Sequence, residues 1–400
     1  MTASSSGARR VAITGLGVVA PAGLGKQDFW TGLLGPGACS GRSVEIEDWD
    51  PTPYFENPKA ARRADRVEQF SLAAAGEAFE QAGGFDAIGV DASRFGTIFA
   101  TGVGGLHTLE EQIQIRLEKG ERRVSPFLVP MMMTNAAGAA ISMRYGLRGP
   151  NETITTACAA GSHAINYAAR LIKWGIVDAV ATGGSESAAT LTALAGFGNM
   201  TALSSSGVSQ PFASGRDGFV MGEGSAVLVL EEWAHAEARG ANILGEVLGG
   251  ASNADAHHIT APAPGGVGAI ACMRSALAES GIDASDIKQV NAHGTSTPLN
   301  DAAEADAITE VFGPNAVPVV STKGVTGHAL GAAGALEAAA LLLSMDNALI
   351  PPTANTLEAD GDMAIDLVVG EARPWTPGPA ISNNFGFGGH NGSVVIAPAS

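Results

Sequence analysis

Short apolar, β-branched runs alternate along the chain with longer alanine-rich stretches. Strand-like runs lie at residues 95–100, 178–182, 226–230, 317–320 and 392–396. Between them, apolar residues recur at helical spacing over residues 69–82, 266–280 and 302–311, and this period is the primary signal of an amphipathic helix. Strands that alternate with helices predict an α/β architecture.

The two halves of the chain begin in a similar way. A first strand-like run enters a glycine-rich loop at residues 14–17, and residues 243–250 repeat the pattern. The first loop also fits the G-x-G-x-x-A pattern of dinucleotide sites, but the acidic residue expected about 20 positions later is missing. No linker-like composition separates the halves, so we expect residues 1–250 and 251–400 to pack as one unit.

A candidate nucleophile, Cys158, stands where a β-branched run at residues 153–156 gives way to small residues. A segment with apolar residues at helical spacing follows it over residues 163–174. A cysteine in the first turn of a helix feels the positive end of the helix dipole, so we expect its thiol pKa to fall. The alternative is a structural role, because a free cysteine at a strand–helix junction commonly packs as a small hydrophobe.

Two histidines follow strand-like runs in the second half. His293 lies in a Gly/Thr-rich segment after residues 287–290, and His328 lies in a similar segment after residues 317–320. Loops at strand ends can bring side chains together in one pocket. A lone histidine is more often structural, but two such histidines together with Cys158 form a constellation that is typical of catalysis.

Composition narrows the class of protein. With 400 residues, of which 46% are hydrophobic and 16% charged, the chain has the composition of a compact globular enzyme. The net charge of −17 argues against a nucleic-acid partner and an anionic membrane surface. Three cysteines provide no disulfide framework. Because a thiolate nucleophile needs a reducing compartment, we expect a cytoplasmic protein.

Four further motifs extend along the chain: VAITGLG (residues 11–17), YGLRGP (145–150), RDGFVMGEG (216–224) and NFGFGGHNG (384–392). With the segments around the cysteine and the two histidines, they resemble the elongating β-ketoacyl-acyl carrier protein synthases, the condensing enzymes of fatty acid and type II polyketide synthesis. The resemblance implies a thiolase-like α/β fold, in which two pseudo-symmetric halves form a layered α-β-α-β-α core. It places the nucleophilic cysteine in the first half and both histidines in the second.

The resemblance also implies a role for each residue of the constellation. Cys158 holds an acyl chain as a thioester, a step that suits a thiolate because it is both a good nucleophile and a good leaving group. His293 and His328 stabilise the enolate-like oxygen that forms when a malonyl thioester loses CO2. Lys323 orders the histidines and the local charge, with Glu337 as its partner.

Further residues of the site are assigned by the same resemblance. The backbone N–H groups of Cys158 and Phe387 form the oxyanion hole, and the glycines around Phe387 let its ring act as a gate. The remaining substrate-binding positions are Thr260, Thr295 and Thr297 for the phosphopantetheine arm, and Val103 and Phe197 for the acyl tunnel.

Docking of an acyl carrier protein requires a local basic patch, because carrier proteins are acidic and so is this chain. Lys59, Arg62 and Arg63, with Arg66 close by, are the densest basic cluster, and the resemblance places docking there. The resemblance implies no cofactor beyond the carrier's phosphopantetheine arm, and no ligand spacing indicates a metal site.

A two-fold dimer is also expected, either a homodimer or a heterodimer with a related ketosynthase-like subunit. Alternating small and apolar residues at 179–181 predict a strand that is buried on both faces or lies at an interface.

Three functions fit this resemblance. The chain is an active condensing enzyme, a polyketide ketosynthase subunit that works only with a chain-length-factor partner, or that non-catalytic partner itself. Retention of the cysteine and both histidines argues against the last, because a subunit without chemistry needs no nucleophile. His390 stands where the family often has threonine, and the sequence gives no physical reason for the change.

Overall fold

The computed structural model describes residues 9–37 and 39–399. The strands are β1 (Val11–Ala20), β2 (Gly23–Leu24), β3 (Phe95–Ala100), β4 (Asn151–Ile154), β5 (Ala179–Glu186), β6 (Gly224–Glu232), β7 (Gly245–Ala254), β8 (Gln289–Asn291), β9 (Pro318–Val320), β10 (Leu349–Ile350), β11 (Asp366–Leu367), β12 (Arg373–Pro374), β13 (Ala380–Gly386) and β14 (His390–Pro398). The α-helices are α1 (Lys26–Leu33), α2 (Pro58–Ala61), α3 (Arg66–Gln81), α4 (Phe85–Ile88), α5 (Leu106–Lys119), α6 (Leu128–Met132), α7 (Ala136–Tyr145), α8 (Ala160–Lys173), α9 (Leu191–Asn199), α10 (Trp233–Ala238), α11 (Val267–Ser280), α12 (Pro298–Phe312), α13 (Lys323–Thr326) and α14 (Ala333–Asn347). The strands and helices predicted from the sequence are all present, with ends that differ by a few residues.

The strands pair in the order β11-β9-β8-β13-β14-β7-β1-β6-β5-β3-β4. In the first half, β4, β3 and β5 run parallel, and β6 and β1 follow antiparallel. The second half repeats this pattern, with β9, β8 and β13 parallel and β14 and β7 antiparallel. The halves meet where β1 pairs with β7. Residue 250, the expected boundary between the halves, lies inside β7.

Helices form three layers around the strands. Helices α3 and α7 pack on the strands of the first half, and α11 packs on β7 and β14 of the second. Helices α8 and α14 lie between the halves, because each contacts strands of both. Residues 333–345 of α14 are buried on every side, which explains a run of alanine and leucine without a polar face. The result is an α-β-α-β-α arrangement.

Glycines in β1 have a different role from the one expected. Residues 14–17 continue the strand instead of forming a loop, and residues 245–250 likewise belong to β7, so the predicted loops are wrong. A Cβ atom on Gly17 would lie 1.9 Å from the carbonyl oxygen of Ala74, and one on Gly15 would lie 2.1 Å from that of Ala78. The glycines therefore allow α3 to pack directly against the strand backbone.

Strand β5, which contains residues 179–181, lies in the interior of the sheet between β3 and β6. All of its residues are buried. Of the two alternatives predicted for this strand, burial on both faces is therefore confirmed. The edge strand of the first half is β4, which is the last in the strand order. Within residues 9–37 and 39–399, no helix has both the length and the apolar composition that a membrane span requires.

Candidate active site

The candidate nucleophile sits at a sharp turn between β4 and α8. A short 3-10 turn, Ala157–Ala159, connects the two elements, and Ala157 adopts a φ of 51°, which is unusual for a residue with a Cβ atom. Cys158 is 6% exposed and lies just before the first turn of α8. The predicted helix after the cysteine is confirmed. It begins earlier than residue 163, at Ala160.

His328 faces the cysteine directly. Its Nε2 atom lies 3.0 Å from Sγ of Cys158, and its backbone N–H donates to the carbonyl of Val220 at 2.8 Å. Among the described residues, none is a hydrogen-bond partner of its buried Nδ1 atom. The surroundings therefore do not fix which ring nitrogen carries the proton. This suits a group that faces first a thiol and then a thioester oxygen.

His293 is held in one tautomer. Its Nδ1 atom lies 3.3 Å from Nζ of Lys323 and 3.4 Å from Nδ2 of Asn384. Both neighbours are donors, so Nδ1 accepts and the ring proton stays on Nε2. The backbone N–H of His293 donates to Glu304 Oε1 at 2.8 Å. The ring centroid lies 5.3 Å from that of His328, which brings the two imidazoles together.

Lys323 and Glu337 form a buried ion pair behind His293. Lys323 is 1% exposed, and its Nζ also donates to the backbone carbonyl of His293 at 2.6 Å. Glu337 accepts from Lys323 and, at 2.6 Å, from Nδ2 of Asn384. Burial raises the pKa of Glu337, and the charge of Lys323 opposes this. The contact implied by the resemblance is present, but Glu337 lies behind the pocket and is not among its described lining residues.

Burial and the Lys323 charge determine the protonation of the two imidazoles. Burial, the larger cause, and the ammonium of Lys323 hold the pKa values of His293 and His328 well below 6.5. Both rings are therefore neutral near pH 7. A neutral imidazole can donate through one nitrogen to a developing oxyanion.

The thiol of Cys158 differs from the prediction. Burial raises its pKa to about 11, although the backbone N–H of Phe387 and the charge of Lys323 act in the opposite direction. The prediction of a lowered pKa is wrong, because the loss of water around the sulfur outweighs the stabilisation of the thiolate. The thiol is the stable form, so attack on a thioester requires a base. His328 Nε2 is in position to take the proton.

The residues converge on a cavity of about 630 Å³. Cys158 and both histidines line it. The other predicted lining residues are all present: Val103, Phe197, Thr260, Thr295, Thr297 and Phe387. A Cβ atom on Gly386 would lie 3.0 Å from the backbone nitrogen of Cys158, which explains the glycine before Phe387. The Phe387 ring packs near Phe197, with centroids 6.3 Å apart.

Cys, His and His also form a ligand set that zinc accepts, and the three ligand atoms lie within 4.8 Å of one another. Lys323, whose ammonium lies 3.3 Å from Nδ1 of His293, puts a positive charge beside this site. A second cation would be repelled by it.

Sequence reasoning missed two residues that support the histidines. Glu304 accepts the backbone N–H groups of His293 and Gly294 at 2.8 and 2.7 Å. Asn384 connects Glu337 to the His293 ring. The only sequence signal is the position of Asn384 next to the FGFGG motif. His390 lies at the start of β14, with its ring centroid 6.4 Å from that of His163.

The predicted docking cluster is on the surface. Lys59, Arg62 and Arg63 lie in or just after α2 and are exposed, and the Arg63 guanidinium lies 4.3 Å above the ring of Phe127. Arg66 differs, because it forms an ion pair with the fully buried Glu223. Its charge is therefore neutralised within the fold.

Profiles of one protein family match most of the chain. Residues 8–236 match "Beta-ketoacyl synthase, N-terminal domain", and residues 244–357 match "Beta-ketoacyl synthase, C-terminal domain". A curated relative, 3-oxoacyl-[acyl-carrier-protein] synthase 2 of Synechocystis sp., is 42% identical over 409 residues. That alignment covers 97% of this chain and 98% of the relative.

Solved structures agree with these matches. The structure of the ishigamide ketosynthase/chain length factor has a TM-score of 0.91 at 31% identity, covering 98% of this chain and 100% of the other. A type II polyketide acyl-carrier protein in complex with its ketosynthase has a TM-score of 0.90 at 30% identity, with the same coverage. These likenesses confirm the predicted layered α/β fold.

Proposed function

Because the chain belongs to the β-ketoacyl synthase family, we propose that it is a condensing acyltransferase that joins an acyl group on Cys158 to malonyl-acyl carrier protein. The products are 3-oxoacyl-acyl carrier protein and CO2. The observation that supports this best is the convergence of three groups in one cavity. They are the Cys158 thiol, the His328 Nε2 atom 3.0 Å away, and the neutral His293 ring.

In the first half-reaction, the sulfur of Cys158 attacks the carbonyl carbon of an acyl thioester. The thiol proton passes to Nε2 of His328 and then to the departing carrier thiolate. The carbonyl electron pair moves onto oxygen, and the N–H groups of Cys158 and Phe387 stabilise that charge. When the pair returns, the bond to the carrier sulfur breaks and the acyl group stays on Cys158.

In the second half-reaction, the malonyl group loses CO2. The electron pair of the broken C–C bond forms an enolate, and His293 and His328 donate hydrogen bonds to its oxygen. His293 donates from Nε2 because Lys323 faces Nδ1. The enolate carbon then attacks the acyl carbonyl on Cys158, and collapse of the tetrahedral intermediate expels the Cys158 thiolate, which takes a proton from solvent.

The polar side of the cavity suits the phosphopantetheine arm. Thr295 and Thr297 have hydroxyl oxygens 2.9 Å apart, and Thr260 lines the cavity in another loop. These hydroxyls can donate to the amide carbonyls of an arm that enters beside them. We assign the apolar side, with Val103 and Phe197, to the acyl chain. The ring of Phe387, flanked by Gly386 and Gly388, is the proposed gate.

The partner is an acyl carrier protein, whose acidic surface suits the exposed cluster of Lys59, Arg62 and Arg63. Arg122 and Arg123 are also exposed and precede Phe127, on which Arg63 stacks. They therefore extend the basic surface. The substrates arrive on the carrier's phosphopantetheine arm, and the proposed reaction needs no cofactor or metal. Nucleic acid and membranes are not proposed partners, and we place the enzyme in the cytoplasm because its nucleophile must stay reduced.

A second candidate is a ketosynthase subunit that works only in a heterodimer, because the similar ishigamide structure contains a ketosynthase and a chain length factor. Purification of the chain alone, followed by light scattering and a malonyl-carrier condensation assay, distinguishes the two. We expect a homodimer that condenses acyl and malonyl carriers. An inactive protein that gains activity with a related subunit would favour the heterodimer. If the chain forms no carbon–carbon bond, either alone or with a related subunit, the proposal is contradicted.

A further inference from the structure

Glu186 occupies a site beside the cavity that the reaction steps above do not use. It ends β5, and its side chain is fully buried. Its Oε2 atom accepts the backbone N–H groups of Gly102 at 2.6 Å and Gly331 at 3.0 Å. Its Oε1 atom accepts the hydroxyl of Thr101 at 3.2 Å. One carboxylate therefore joins two loops that are far apart in sequence.

Those two loops form adjacent parts of the cavity wall. The first continues from Gly102 into Val103, and the second contains Leu330 just before Gly331. Val103 and Leu330 both line the cavity that contains Cys158. The loops are in direct contact, because a Cβ atom on Gly331 would lie 2.2 Å from the nitrogen of Gly102. Glu186 thus fixes how the two wall segments are arranged against each other, and we call this carboxylate with its hydrogen bonds to both loops the clamp.

Two local features make this clamp effective. The hydroxyl of Thr101 also accepts the N–H of Gly104 at 3.1 Å, so the first loop is held on both sides of Val103. Leu330 has a φ of 41°, a conformation that costs free energy and persists only where neighbouring contacts impose it. The hydrogen bond from Gly331 to Glu186 is one such contact.

Only a carboxylate matches this set of donors. It accepts at both oxygens, whereas an amide has one accepting oxygen and an NH2 group that would face other donors. Burial raises the pKa of Glu186 to about 7, and hydrogen bonds from Gly102, Gly331 and Thr101 oppose this. At a pH above this pKa the Glu186 side chain is ionised, so assays there test the carboxylate form.

We propose that Glu186 is a positioning residue that sets acyl-chain selectivity, by holding the adjacent wall segments of Val103 and Leu330 in a fixed arrangement. This inference rests on the proposed condensing function. Malonyl decarboxylation places no chain in the tunnel, so it should depend less on the clamp than the choice between acyl chains does.

The test is Glu186→Gln in competition assays with short and long acyl carriers, above the pKa of Glu186. We expect the ratio of kcat/KM values for the two chains to change by about tenfold, the lower end of what one methylene in an apolar pocket discriminates. Malonyl decarboxylation should change less. Partial unfolding would lower kcat for all chains equally and leave the ratio unchanged. Thr101→Val, which removes two hydrogen bonds of the clamp, should shift the ratio in the same direction.

Ser187→Ala is the matched control. It removes a buried hydrogen bond of 2.8 Å to Glu223 next to the clamp and should retain the wild-type ratio. If Glu186→Gln does not fold, the ratio of kcat/KM values measured for Thr101→Val tests the inference by itself. An unchanged ratio in the folded clamp variants, or an equal shift in Ser187→Ala, overturns the inference. A wild-type protein that accepts no acyl group on Cys158 instead refutes the proposed function.

Discussion

Replacement of Lys323 by methionine tests whether this lysine controls the tautomer of His293. The change removes the ammonium that faces Nδ1 of His293 at 3.3 Å and leaves Glu337 as a buried carboxylate without its cation. Breaking a buried ion pair by removing one partner costs about 3–5 kcal/mol of folding free energy. With the ammonium gone, only the neutral amide of Asn384, at 3.4 Å, still faces Nδ1. The ring proton can then move to Nδ1, and the Nε2 donor to the enolate is lost.

The expected loss of malonyl decarboxylation is on the order of a hundred- to a thousand-fold, the usual effect of removing one donor to a developing oxyanion. Acylation of Cys158 should survive, because His328 and the two backbone N–H groups remain. The assay is CO2 release from malonyl carrier protein, with intact mass to follow the acyl adduct and a urea titration to measure stability.

The double variant Lys323→Met/Glu337→Gln separates tautomer control from stability. Removing both charges should recover most of the lost free energy of unfolding, because replacing a buried pair as a whole is often neutral. It should not restore decarboxylation, since no ammonium faces Nδ1. Recovery of decarboxylation together with stability would refute the tautomer argument and reduce Lys323 to a charge partner of Glu337.

Four other predictions concern the nucleophile, an enolate donor and the tunnel. Cys158→Ser should abolish the single acyl adduct seen by intact mass, and an adduct that persists or maps to Cys39 or Cys272 would contradict the assignment. His293→Ala should lower malonyl decarboxylation by about a hundred-fold or more while Cys158 still accepts an acyl group; full CO2 release would make His293 structural. Since burial raises the pKa of Cys158 to about 11, iodoacetamide labelling of the free enzyme should keep accelerating above about pH 8.5, the ordinary thiol pKa, and a plateau near neutral pH would show a thiolate. Val103→Phe should shift preference toward short acyl primers, graded by about 1–3 kcal/mol per methylene, in competition assays; an unchanged chain-length profile would place Val103 outside the tunnel.

Much of this site follows from local sequence patterns. A strand-like run before small residues indicated the turn at Cys158, and similar runs indicated the loops of His293 and His328, because these signals depend on near neighbours along the chain. The thiol pKa could not be predicted in the same way. It depends on burial by residues such as Phe387 that are distant in sequence, whereas the helix dipole is a local effect.

Contacts between distant segments account for the other differences. Gly15 and Gly17 suggested a loop because the sequence does not reveal that α3 packs on their strand. Arg66 looked like part of a basic surface, but its partner Glu223 is 157 positions away. Glu186 gave no signal, since its donors Gly102 and Gly331 lie 84 and 145 positions from it.

The place of β14 in the sheet has a consequence for how the protein is made. Among the described residues this strand is the last to be made, yet it pairs with β13 on one side and β7 on the other, in the interior of the sheet. The cysteine-bearing half therefore leaves the ribosome long before β14 is available to pair. Phe387, whose N–H faces the sulfur of Cys158, emerges just ahead of that strand. The thiol stays outside a finished pocket until β14 has been made, which keeps the nascent chain from reacting with acyl carriers through an assembled site.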